Sequence, residues 1–251
     1  MRTTQRHAWF VLGVVLSAAP VVGVLLVAGL PVRVSIAPAR PAVPLGPLPP
    51  PLVAAAIWAR FGGGVDQRVD PLTVWGFAAL RWCRFQAAGA DDRQQQAEQC
   101  LATQVGLPLA ASIAARHVRD EGQSQSVAAR ELGQVATAGW LTRSWDADSL
   151  VRDLAQRGDF DVGGRGVEDA ARRYFDKTPA ALTAAGAATL AAALPGAERW
   201  QAGVSPWCAP TAATAARNRV LRRMAANGAV DAGELQVMMQ SPLGVLDRGC
   251  R

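Results

Sequence analysis

Lysine is almost missing from this chain: Lys177 is the only one among 26 basic residues. Histidine is nearly as scarce, with His7 and His117, and tyrosine occurs once, at Tyr174. The four cysteines, Cys83, Cys100, Cys208 and Cys250, include no C-x-x-C pair. With His117 as the one histidine beyond the N-terminal stretch, a zinc site is excluded and no metal ligand set is assigned. His117 has no serine or cysteine nucleophile with a supporting acid at a recognised spacing, so it reads as a surface histidine. The glycine-rich run Phe61-Gly62-Gly63-Gly64 lacks the Lys-Ser or Lys-Thr of a phosphate-binding loop and reads as a flexible loop. Strand-like alternation of β-branched residues is rare and alanine is abundant, which predicts a mainly α fold. No internal repeat is visible.

Acidic residues are absent from the first 51 positions. Arg2, Arg6, Arg33 and Arg40 lie there, which leaves 22 basic against 20 acidic residues for 52–251, a net of +2 out of the chain's +6. That even balance argues against a nucleic-acid partner, which calls for basic charge concentrated on one face. From Ala8 to Leu30 no side chain is charged, and these 23 residues suffice for a helix crossing roughly 30 Å of hydrocarbon. Residues 1–7 are expected to stay in the cytoplasm by the positive-inside rule, 8–30 to form a transmembrane signal anchor, and the rest to be exported. A cleaved signal peptide is the alternative, with Ser17-Ala18-Ala19 as small cleavage-site residues, but its apolar core spans only about 7–15 residues. Residues 31–51 carry eight prolines and read as an extended linker. Residues 52–251 are long enough for one domain with its own core.

Several helices are predicted from their caps. Asp70-Pro71 opens one running to about Phe85. Asp146 caps one running to about Gln156. Val167, Ala170, Ala171 and Tyr174 make an i, i+3, i+4, i+7 stripe. Thr183 caps a helix from Ala184 to Leu194, closed by Pro195. Val220, Leu221 and Met224 line another, ended by Asn227-Gly228. Asp231 and Glu234 form a capping box before a helix with Leu235, Met238 and Met239 inward. Outside the cytoplasm the cysteines can pair. Cys83–Cys100 with Cys208–Cys250 is the most local of three pairings, and four free thiols remain the other possibility. Trp75, Phe77, Trp82 and Phe85 alternate with Arg81 and Arg84, a mixture that suits the membrane–water interface and equally an ordinary core helix with snorkelling arginines.

The most informative stretch is Gly166 to Pro195. Gly166, Glu168, Ala170, Ala171, Tyr174, Phe175, Lys177, Leu182, Thr183, Ala187, Ala188 and Pro195 resemble the C-terminal motif of the peptidoglycan glycosyltransferases, glycosyltransferase family 51. Arg217 to Met224, Asn227-Gly228 and Asp231 to Glu234 are similar to that family's terminal helices, and Val69-Asp70-Pro71-Leu72 to the segment after its first motif. The resemblance implies a mainly helical, lysozyme-like domain with an apolar flank dipping into the bilayer, behind a single N-terminal transmembrane helix. The implied activity is polymerisation of lipid II at the outer face of the bacterial plasma (inner) membrane. One glutamate acts as general base, a second assists at the pyrophosphate, and a divalent metal takes part only if the chain is active.

The chain departs from the pattern where that chemistry resides. The first motif's Glu-Asp pair falls on Ala59 and Arg60, and neither side chain accepts a proton. The second motif would lie around Arg93 to Cys100, the third around Ala129 to Gln134, and the fourth on Val151 to Gln156, all eroded. In the Thr-x-x-Glu capping box, Gly186 stands in the glutamate's place, three residues after Thr183. Asp66 and Glu131 are the candidate replacement carboxylates. The resulting reading is a degenerate member that binds lipid II, glycan or cell-wall synthesis proteins at the membrane. The alternatives are an active divergent glycosyltransferase using Asp66 or Glu131, and a hydrolytic glycan-cleaving enzyme, which also needs an acid.

Overall fold

The computed structural model describes residues 40–87, 100, 104–121, 127–160, 164–196, 204–247 and 249–250. The anchor at 8–30, the second-motif positions 93–99 and the side chains of Arg81, Arg84 and Phe85 lie outside the described residues. Among those described, no helix is long and apolar enough to cross a membrane.

The domain is helical, as its composition predicts. Helices run over Pro51–Arg60 (α1), Val74–Ala87 (α2), Leu107–Glu121 (α3), Val127–Ser144 (α4), Ala147–Arg157 (α5), Val167–Phe175 (α6), Ala184–Ala193 (α7), Pro210–Ala226 (α8) and Leu235–Gln240 (α9), with a 3-10 turn at Pro179–Ala181. The only ladder contact among described residues is an isolated antiparallel bridge between Asp159 and Arg165. Two packing groups share one core. In the first, α1, α7 and α8 pack mutually; in the second, α3 lies along α4; α5 touches both α1 and α3.

Helix α7 sits at the centre because of its composition. Its sequence is AAGAATLAAA, and Gly186 through Ala193 are all buried. Small side chains on every face let α1 and α8 approach closely, and Thr189 satisfies its hydroxyl by donating to the Ala185 carbonyl at 2.8 Å. Thr183 Oγ1 accepts from the Gly186 N–H at 3.2 Å, so half of the capping box forms without its glutamate.

Helix α5 begins as expected, with Asp146 accepting from the Ser149 N–H at 2.8 Å. Hydrogen bonding from Ser149, with a smaller pull from Arg152, holds the Asp146 carboxyl below its ordinary 3.8. A lowered folded-state value means that the unfolded chain binds more protons. The cap's contribution is therefore present above about pH 4 and lost as pH falls through the lowered value. Asp146→Ala is expected to cost about 1 kcal/mol at pH 7, and thermal melts should show that difference shrinking on acidification below about pH 4.

Other expectations need correcting. Helix α2 starts at Val74, not Pro71; Thr73 caps it by accepting from the Gly76 N–H at 3.0 Å. Asp70 instead pairs with Val105, its N–H donating to the Val105 carbonyl at 2.9 Å and its carboxylate accepting from the Val105 N–H at 3.4 Å. Pro51 belongs to α1 as its first residue rather than to the linker. The Asp231–Glu234 capping box is not made: Asp231 accepts from the Gly233 N–H at 2.7 Å, and Glu234 makes no side-chain cap. Leu235, Met238 and Met239 are half-buried against the core.

Both disulfides of the most local pairing form, Cys83–Cys100 and Cys208–Cys250. The first fastens α2 to the segment preceding α3. The second closes the C-terminal tail onto the start of α8. That tail is also held where the Leu246 N–H donates to the Tyr174 carbonyl at 2.7 Å and Trp207 Nε1 donates to the Leu246 carbonyl at 2.8 Å.

Candidate functional site at the end of α1 and the motif face

The C-terminal end of α1 carries Ala59 and Arg60, which the sequence resemblance sets against the family's general-base motif. Ala59 is fully buried. Arg60 is half-buried; its Nη2 donates to the Leu194 carbonyl at 3.3 Å, and its guanidinium lies 5.4 Å from the Phe61 ring centroid. Arg223 of α8 donates through Nη1 to the carbonyls of Arg60 at 3.2 Å and Ala59 at 3.4 Å. Arg223 thus meets the negative end of the α1 dipole, and Arg60 that of α7.

The next turn is pinned, which corrects the flexible-loop expectation. Trp58 Nε1 donates to the Gly64 carbonyl at 2.7 Å, and Asn227 Nδ2 donates to the Gly63 carbonyl at 2.8 Å. A Cβ on Gly63 would stand 2.1 Å from the Trp58 ring, so only glycine lets the backbone lie over the indole.

Asp66 and Glu131 are both exposed, the first after this turn and the second on α4. Neither carboxylate has an ion-pair partner among the described residues. A general base needs a fixed place beside the reacting hydroxyl, and solvent exposure supplies neither side chain with one. Among the described residues no cluster of three His, Cys, Asp or Glu side chains is placed to hold a metal ion, so no step is assigned to one. His117 is half-buried on α3 rather than fully at the surface.

The motif residues divide into two groups. Gly166 precedes α6 with φ +87°, and a Cβ there would meet the Gln156 carbonyl oxygen at 2.6 Å. Tyr174 is buried, its hydroxyl donating to the Phe160 carbonyl at 2.8 Å. Glu168 is exposed in the first turn of α6, where the helix dipole favours an acid. Phe175 and Lys177 border a cleft of about 360 Å³, closed by Leu182, Gly186, Met238 and Leu243.

Residues 110–225, spanning most of α3 through α8, match the model of the transglycosylase family. This is a transglycosylase domain. No curated protein matches the chain. The match supports a peptidoglycan glycosyltransferase-like function and takes in the Gly166–Pro195 motif. It begins after Arg60, so the assignment of Ala59 and Arg60 rests on the resemblance alone.

One feature of the transglycosylase domain went unforeseen. In the stretch that the resemblance sets against the fourth motif, Asp153 of α5 is fully buried and pairs with Arg116 of α3. Its other oxygen lies 3.2 Å from Arg157 Nη1, an ion pair whose angle falls short of a hydrogen bond. The available signal was Asp153's place among Leu150, Val151 and Leu154, where an acid must have a buried partner. Asp153 is the one buried acid among the described residues, and two guanidiniums occupy it.

Ala59→Glu would bury a carboxylate in the core, and we expect it to cost roughly 3 kcal/mol or more. Arg60→Glu, at a half-exposed position, is expected to cost about 1 kcal/mol through the lost hydrogen bond and the reversed helix-end charge. Thermal melts of the two variants check the order.

Proposed function

We propose that the chain is a membrane-anchored cell-envelope protein. Its transglycosylase domain binds lipid II or nascent glycan beside the cell-wall synthesis machinery, without polymerising it. The observation that carries this reading is the environment of Ala59, which the resemblance sets at the general-base position: its methyl group is buried and its carbonyl accepts from Arg223. Deprotonating a sugar hydroxyl needs a basic group within hydrogen-bond reach, and Asp153, Asp66 and Glu131 are respectively consumed, exposed and exposed.

Membrane association is supported by α2, where Trp75 is 84% and Trp82 52% exposed, with Phe77 alongside. Indole rings favour the headgroup layer. Two disulfides suit an oxidising compartment outside the cytoplasm. We place the domain on the periplasmic, extracytoplasmic side of the plasma membrane, with residues 8–30 as the single span.

The test gives the purified full chain, in detergent, lipid II and a divalent metal, and resolves the product on a gel. The expected result is no glycan polymer, together with saturable binding of lipid II in nanodiscs. Robust polymer would overturn the proposal in favour of an active divergent glycosyltransferase. Release of glycan fragments from purified peptidoglycan would favour hydrolysis instead.

A further inference from the structure

Helix α8 carries four arginines, Arg217, Arg219, Arg222 and Arg223, and they have two fates. Arg217 is buried and bonds the carbonyls at the end of α9. Arg223 caps α1. Arg219 and Arg222 are exposed, and among the described residues no hydrogen bond or ion pair engages either guanidinium. Both face an open groove of about 900 Å³ between the start of α8 and the C-terminal tail, walled by Pro206, Pro210, Leu243 and Val245. No acid occurs from Val204 to Val230, or in the tail from Ser241 to Leu246.

We propose that this groove binds an extended acidic peptide segment of a partner protein. The charge is complementary: two exposed guanidiniums and, among the described residues, no lining carboxylate. The groove, of about 900 Å³, lies at the upper end of ligand pockets, roughly 300–1,000 Å³, and has room for a segment of several residues. The lining decides between peptide and glycan. A sugar ring gains most by covering an aromatic face, and the groove has no aromatic ring. Its proline, leucine and valine walls suit aliphatic side chains instead.

The spacing fits as well. Arg219 and Arg222 stand at i and i+3 on one helix face, with Cβ atoms about 5–6 Å apart. In an extended peptide, alternate side chains point the same way and repeat about every 6.6 Å. Carboxylates on alternate residues therefore reach both guanidiniums, each through the bidentate geometry that arginine favours. The inference is independent of the end of α1 and stands whether or not transferase chemistry survives.

The test uses the full chain in detergent and a fluorescein-labelled decapeptide of alternating glutamate and alanine, read by fluorescence anisotropy. Saturable binding below about 0.1 mM is expected, weakening as sodium chloride rises toward roughly 0.5 M. The double variant Arg219→Glu/Arg222→Glu should bind about tenfold more weakly while keeping the wild-type Tm, since neither side chain supports the fold. Arg172→Glu, an exposed charge reversal on α6, should bind like the wild type. Three results would overturn the proposal: no saturation of the wild type up to about 1 mM, equal weakening by Arg172→Glu, or an unweakened double variant. A uronic-acid oligosaccharide bound more tightly than the peptide would assign the groove to anionic glycan instead.

Discussion

Asp153→Ala is expected to destabilise the domain by about 3–5 kcal/mol, because it strands the buried Arg116 guanidinium without its counter-charge. For a domain of this size that is a fall in Tm of roughly 10 °C or more. Arg157 is half exposed and can turn to water, so the cost arises mainly at Arg116. The apolar double variant Arg116→Met/Asp153→Leu should recover most of the loss, since removing both charges also removes the desolvation penalty. Melts of the single and double variants measure the coupling. If Asp153→Ala melted within a degree or two of the wild type, water would have to reach Arg116, and the pair would not be a closed core contact.

A comparable loss, about 3–4 kcal/mol, is expected for Arg217→Ala. This side chain is fully buried, and among the described residues no carboxylate pairs with it. Its compensation comes from carbonyls: Nη1 donates to Ser241 at 2.8 Å and Pro242 at 3.1 Å, and Nη2 to Met239 at 2.9 Å. Nε donates to Asn218 Oδ1 at 3.0 Å. The positive charge faces the negative end of α9, yet burial still pulls the Arg217 pKa below its ordinary range. Alanine would leave the Ser241 and Pro242 carbonyls without this donor, while Met239 keeps the Asn218 amide, and would free the short α9 from its seat. Arg217→Lys should recover less than half of the loss, because a single ammonium does not reproduce the planar fork. Amide hydrogen exchange should localise the damage to 235–246, with α3 and α4 unaffected.

The parts of this fold that could be read from the sequence are those decided within one turn of chain. Asp146, the 167–174 stripe, Thr183 and Asn227-Gly228 each depend on neighbours three or four residues away, and each behaves as its local chemistry dictates. The failures share the opposite property. Asp70 is a good cap residue, but its carboxylate is claimed by Val105, 35 positions distant. The glycine run after α1 looks loose until Asn227 of α8 and the Trp58 indole close on it. Asp153 sits on an apolar stripe, and only the tertiary fold discloses its arginine on α3. At the candidate site the same division holds. The motif at 166–195 is legible in the sequence, and the resemblance sets Ala59 against the family's general base, whereas the arginine capping at the end of α1 needs α8 beside it.

The bond between Cys208 and Cys250 makes a covalent ring with both α8 and α9 inside it. Residues 231–234, between those helices, are exposed and offer a protease an accessible cut. A single nick there would release nothing: the two pieces would migrate as one band until a reductant opened the ring. In a compartment rich in proteases, this corner of the molecule would outlast its own backbone.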